Sequence, residues 1–203
     1  MGGARVSHHD GAFVTLLLLA AASAAPPPWP TLTTVEQARY DKGELVLRAD
    51  TSTPVTDSTG ISKVAAPPEL LWKEALDFEA KRGENPTLKD LEEYHRNSPD
   101  DWFVRFELSV FGLKVRIHDH WTCFPAERYC TWVQDPARDS DVRGEVGFLV
   151  IRPEGTGSGI VFHSEFESEI WAPGWIRKWL AEDQMVNIVM KLRERTERKA
   201  GAR

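Results

Sequence analysis

From Asp101 to about Glu169, apolar side chains recur at every second residue; beyond that stretch they recur at helical spacing. This change of period restricts the fold more than any other feature of the chain. "WFVRFELSVF" sets Trp102, Val104, Phe106, Leu108 and Val110 on one face and Arg105, Glu107 and Ser109 on the other. "FGL" makes a turn and "KVRIHDHWTCF" alternates again, followed by "RYCTWVQD", "RGEVGFLVIRP" and "SGIVFHSEFESE". Four or five antiparallel strands joined by short turns predict a meander. The closing segment, "PGWIRKWLAEDQMVNIVMKLRERTER", has Pro173 near its start and Trp175, Ile176, Trp179, Val186, Val189 and Met190 at helical spacing. Its last residues are rich in Arg and Lys, which suit the negative end of a helix dipole. A helix with so broad an apolar face needs a sheet around it, so the class is α+β.

Upstream, "GAFVTLLLLAAASA" has the length of a secretory h-region and ends in small residues at Ala22 and Ala24. Residues 1–24 therefore read as a signal peptide cleaved near Ala24, and the protein as exported, periplasmic or secreted. Residues 25–42 form a Pro-rich lead-in with a short polar helix around "TTVEQARY". "GELVLRADTST" alternates as a strand, "PVTDSTG" reads as a turn cluster and "ISKVAAP" as a second short strand. "APPELLWKEALDFEA" predicts a helix with proline in its first turn. "TLKDLEEYHRNSP" predicts a second, capped by Thr87 with Asp90 three residues on. No linker divides residues 43–199, which are expected to form one domain.

A formal net charge of −6 argues against a general nucleic-acid partner, because phosphate neutralisation needs a positive face. No phosphate-binding loop, dinucleotide fingerprint, nucleophile elbow or zinc-protease motif is present, and no cofactor is expected. Eight tryptophans can fill a core or line a pocket for a large apolar ligand.

The only two cysteines flank "PAER". Pairing the strands around that connection sets Cys123 opposite Cys130, Trp121 opposite Trp132 and Asp119 opposite Gln134. Opposed Cα atoms ~4.5–5.5 Å apart admit a disulfide, which an oxidising compartment permits. A redox pair would want C-x-x-C and a structural zinc four ligands, so a staple is the first reading. His118 and His120 fall on the polar strand face, with His163 and Glu165 two strands away at ~10 Å. The reading there, as for the run His163, Glu165, Glu167 and Glu169, is a solvated face without metal.

Three stretches, in order, resemble the START-like (SRPBCC, helix-grip) superfamily, in its polyketide cyclase/dehydrase and lipid-transport or coenzyme-Q-binding-type branch. They are "VAAPPELLWKEALDFE", "RGEVGFLVIRPEGTGSGIVFHSEFE" and "PGWIRKWLAEDQMVNIVMKLRERTE". The resemblance covers roughly residues 43 to 199. It implies a curved antiparallel sheet wrapped around a long C-terminal helix, with an elongated apolar cavity between them. It also implies binding or transport of lipids, quinones or polyketides, or less often cyclisation or dehydration, with no universal catalytic residue to carry over. The segment "KRGENPTLKDLEEYHRNSPDD" is more polar and acidic than the family's usual gate.

Strand parity points Asp119 inward beside Ile117 and Trp121, and Ser164 inward between Phe162 and Phe166. A carboxylate facing an apolar interior is costly unless paired or used. Asp119 is therefore a satisfied partner of Gln134, a residue turned outward by a bulge, a polar anchor for a ligand, or a general acid/base. Asp119, Gln134 and Ser164 are the polar candidates for ligand binding. Trp102, Phe106, Trp121, Trp132, Phe148, Phe162, Phe166, Trp175 and Trp179 are the apolar ones. The first expectation is a monomeric carrier of a hydrophobic small molecule or lipid, with transient membrane contact. The alternatives are a cyclase/dehydratase using Asp119 and a structural protein with a filled core.

Overall fold

The computed structural model describes residues 25–168 and 173–201. The signal segment, its cleavage point and Glu169 lie outside the described residues. The element order is α1 (Thr34–Asp41), β1 (Val46–Asp50), β2 (Val55–Val64), α2 (Pro68–Ala75), α3 (Phe78–Lys81), β3 (Leu88–Ser98), β4 (Asp101–Val110), β5 (Leu113–Phe124), β6 (Tyr129–Gln134), β7 (Val142–Glu154), β8 (Gly157–Ser168), α4 (Gly174–Trp179) and α5 (Met185–Gly201). A π-helical turn, Leu180–Gln184, joins α4 to α5. All eight strands form one antiparallel sheet in the order β1-β2-β8-β7-β6-β5-β4-β3. The curved sheet grips the C-terminal helix, which is the helix-grip architecture.

The main core lies between the inner face of the sheet and α2 and α5. It includes Leu71, Val104, Trp121, Trp132, Leu149, Ile160, Met185 and Val189. The outer face carries a second cluster of Tyr40, Val46, Ile61 and Val161, against which Trp29, Leu32 and Phe148 pack. The lead-in is thus part of the packed structure. Thr33 and Glu36 cap α1 reciprocally, and the Tyr40 hydroxyl donates to Glu154 on β7.

Several expected elements differ. "TLKDLEEYHRNSP" is not a helix but β3, the edge strand beside β4. Cross-strand partners outweigh its local helical signals: Leu91 is buried, and Arg105 of β4 pairs with Asp90 and Glu92. "PVTDSTG" is not a turn but the first part of β2, paired on one side with β1 and on the other with β8. The helix expected from Pro67 onward is split after Ala75, and Asp77 caps the short α3 by accepting from the Ala80 N–H at 2.9 Å. That split turns α3 toward the sheet.

The α2–α5 contact is ionic at its centre. Buried Arg195 donates to the Glu74 carboxylate (2.9 Å), to the Glu74 carbonyl (2.7 Å) and to Glu84, while Lys199 donates to Glu74 at 2.8 Å. Both charges of the central pair are almost fully withdrawn from water, so each depends on the other.

Candidate functional site

A cavity of about 200 Å³ lies between the inner sheet face and the C-terminal helix. It has far more room than the ~10–15 Å³ that admits one water. Its walls are mostly apolar and aromatic. Trp121 and Trp132 stack with centroids 4.3 Å apart, Phe162 leans on Trp132 at 4.9 Å, and Phe78 meets Trp121 edge-on at 5.5 Å. Behind the stacked tryptophans, Cys123 and Cys130 are joined by a disulfide, with Cα atoms 4.0 Å apart in the expected register. Gly147 makes room for the stack: a Cβ there would lie 2.2 Å from the Trp132 ring.

Asp119 lines the cavity and is 2% exposed. It sits opposite Gln134 in register, but its Oδ1 has no hydrogen-bond partner and Gln134 does not reach the cavity. The expected Asp–Gln pair is therefore absent, and the strand is regular across from β6 rather than bulged. The neighbour that matters is Glu145 on β7, also buried, lining the same space, with Oε2 unpartnered. Burial, then the nearby Glu145 charge, pushes the Asp119 carboxyl well above its ordinary range. Trp121's indole N–H lies near enough to oppose this without reaching hydrogen-bond geometry. Burial raises Glu145 as well, to about 7, with the Trp132 indole opposing. Glu145 therefore holds an exchangeable proton up to about neutrality, with Asp119 pushed the same way, inside an apolar pocket. A further donor, Gln184 Nε2, also lacks a partner; its Oε1 is held by Asn85 at 2.9 Å and Thr87 at 3.2 Å.

Ser164, Phe106, Trp121 and Trp132 line the cavity with Asp119, as do Phe162 and Phe166. Trp102 is buried in the adjoining core but is not among the lining residues. Three aromatic assignments are corrected. Phe148 faces outward, stacked on His163 at 4.9 Å, because β7 presents Glu145, Gly147 and Leu149 to the helix and gives its more apolar alternate face to the outer cluster. Trp175 is 59% exposed, and both it and Trp179 meet Phe111 on the β4–β5 turn instead of lining the cavity. The π turn shifts the helical phase by an extra residue, so α4 buries Ile176 while Leu180, Gln184 and Ile188 face the cavity.

The outer face also departs from expectation. His118 is buried, not solvated, because β3 carries Tyr94 over it with ring centroids 5.6 Å apart. The Tyr94 hydroxyl donates to Asp135 at 2.6 Å. His163 and Glu165 are three strands from His118, since β6 and β7 both intervene. Among the described residues, no group of three or more His, Cys, Asp or Glu is placed to hold a metal.

Glu145 and Lys81 line the cavity but had no place among the sequence candidates. Glu145 is an acid between glycines in an apolar strand; its signal was the glycine pair, which marks a bulge. The bulge is there, between Arg143 and Val146, with Gly144 at φ +60°. The extra residue lets Val142 face the cavity and keeps Arg143 exposed. Lys81, at the end of α3, also lines the cavity; no sequence pattern distinguished it from a surface lysine.

No sequence-family model matches the chain, and no curated protein matches it in sequence. Its fold is shared with solved structures. A START superfamily protein from Mycobacterium smegmatis superposes with a TM-score of 0.58 at 20% identity, over 70% of this chain and 98% of that one. A STAR-related lipid transfer protein from Xanthomonas axonopodis gives 0.59 at 14%, over 75% and 92%. The Zhui aromatase/cyclase from Streptomyces sp. R1128 gives 0.51 at 18%, over 70% and 86%. The chain thus has the START-like fold.

Proposed function

We propose that this START-like protein is an exported, monomeric carrier of a hydrophobic small molecule or lipid, held between sheet and C-terminal helix. The observation that carries the reading is the aromatic-walled cavity containing two buried carboxyl groups with unpartnered oxygens. An empty apolar space costs packing energy, and unpaired buried polar atoms cost more. A ligand with an apolar body and a hydroxyl or carbonyl end relieves both. The body is driven in by about 25 cal/mol per Å² of apolar surface buried. Its polar end receives a hydrogen bond from the protonated form of Asp119 or Glu145, with Ser164 and Gln184 on the same walls.

Export is supported by the leader-like sequence and by the disulfide, which an oxidising compartment favours. No helix among the described residues is long and apolar enough to cross a membrane. The exposed aromatic group Phe111 and Trp175 suits transient contact with a lipid surface during loading. The cavity weighs against a purely structural protein with a filled core. Organic extraction of protein purified from the exported fraction is expected to release a lipid or quinone detectable by mass spectrometry. A clean extract, together with no uptake of a fluorescent apolar probe, would refute the carrier reading.

A cyclase or dehydratase is the second reading, favoured by one observation: two buried carboxyl groups with unpartnered oxygens line an apolar cavity, and burial raises both carboxyls, Glu145 to about 7, as general acid/base work requires. Asp119→Asn would then abolish turnover of a polyketide-like substrate while leaving binding intact. Loss of binding without any turnover in the parent protein supports the anchor role instead.

A further inference from the structure

We propose that Lys81 is a covalent capture point for apolar aldehydes and ketones, condensing with the carbonyl of a ligand held in the cavity. The inference rests on the cavity-binding reading above and narrows its ligand class. Of the chain's nine lysines, Lys81 is the one that lines the cavity with its amine over aromatic rings at its wall: 5.7 Å from the centroid of the lining Trp121 and 4.0 Å from that of Phe78, which packs on Trp121. Lys191 also borders the cavity, but its amine is paired with Glu194 at 3.0 Å. No carboxylate lies within ion-pair distance of the Lys81 amine among the described residues, although Asp119 and Glu145 occupy the same cavity. The ring faces hold the amine against the cavity side of the half-buried residue, and the split after α2 aims α3 inward.

An amine so placed is a nucleophile only when neutral. Burial, then the positive Arg195 on α5, lowers Lys81 to about 7, against the opposing charge of Asp77 just before α3. Glu84, Lys191 from α5, Asp119 from β5 and Glu145 from β7 are the other charged or titratable groups lining the space. The reaction balances without any oxidant or reductant. The nitrogen lone pair forms the C–N bond as the carbonyl π pair moves to oxygen. One amine proton passes to that oxygen, giving a carbinolamine. The second leaves with the hydroxyl as water, so one imine and one water form. The exchangeable protons of the acid pair in the same cavity assist the loss of water.

The test uses the mature, disulfide-intact protein with 2-naphthaldehyde and sodium cyanoborohydride, which reduces an imine to a stable secondary amine. Peptide mapping is expected to place the label on Lys81 at least tenfold faster than on the other lysines. The rate should rise to half its maximum near pH 7, and the adduct should vanish in Lys81→Met and Lys81→Arg. In parallel, 2-methylnaphthalene, which has no carbonyl, reports cavity entry by quenching tryptophan fluorescence. Entry of the hydrocarbon with labelling spread evenly over the lysines overturns the capture proposal and leaves the carrier reading standing. Failure of the hydrocarbon to enter removes both.

Discussion

Replacing Glu145 by glutamine tests the acid pair directly, because it keeps the shape of the side chain and removes only its ability to ionise. A carboxyl raised from an ordinary 4.5 to about 7 in the folded state favours unfolding once it must ionise. At about 1.4 kcal/mol for each pH unit, the full cost is about 3 kcal/mol. The sign follows from proton counting. Below about pH 4.5 the carboxyl is protonated in both states and contributes no difference. Between about 4.5 and 7 the unfolded chain releases a proton that the folded one keeps, so stability falls as pH rises. Above about 7 the loss is complete. Glu145→Gln is therefore expected to exceed the parent's stability by about 1 kcal/mol at pH 5, rising to about 3 kcal/mol at pH 8. The variant also eases ionisation of Asp119, whose own rise owes part to Glu145. Urea unfolding followed by tryptophan fluorescence at pH 5, 6, 7 and 8 measures the difference. A constant offset across that range, or a variant less stable than the parent at pH 8, would show that Glu145 is not a neutral acid of the folded interior.

Three further outcomes follow from the packing. Arg195→Leu strands the Glu74 carboxylate in the core and is expected to cost about 3–5 kcal/mol by chemical denaturation. A loss below about 1 kcal/mol would mean that Lys199 alone satisfies Glu74. Gly147→Ala drives a methyl group into the Trp132 ring; a loss of about 1–3 kcal/mol is expected, with weaker uptake of a fluorescent apolar probe. Cys123→Ala with Cys130→Ala opens a loop spanning seven positions. Chain entropy sets that loss at about 2.5 kcal/mol, read from denaturant midpoints against the oxidised parent.

Much of the sheet was legible because alternation and a short turn leave few registers open. The hairpin around "PAER" pairs Asp119 with Gln134, Trp121 with Trp132 and Cys123 with Cys130, as strand parity required. The exceptions are places where a distant partner decides. β3 has helical capping signals, yet it is a strand because β4 offers it Arg105 and a place for Leu91. Phe148 lies on the more apolar face of β7, and that face is outward because Tyr40 and Ile61, far away in the chain, build a second cluster there. Glu145 was obscured for the same reason: choosing the apolar face of β7 as the inner one puts the acid in solvent. Lys81 became visible only once α3 had turned, and the turn depends on a single helix break at Leu76.

The strand order has a consequence for how the chain comes to be folded. β2 precedes most of the sheet in the chain, yet its partner on one side is β8, with Val64 beside Ser158 and Val55 beside Glu167. Loops on the order of a hundred residues must close before those contacts repay their entropy. The helix that presses on β2 comes later still. A nascent chain of this topology cannot complete its sheet until β8 has been made. Delay of that kind would suit the export proposed above, in which the chain crosses a membrane channel unfolded and closes its last β2–β8 seam on the far side.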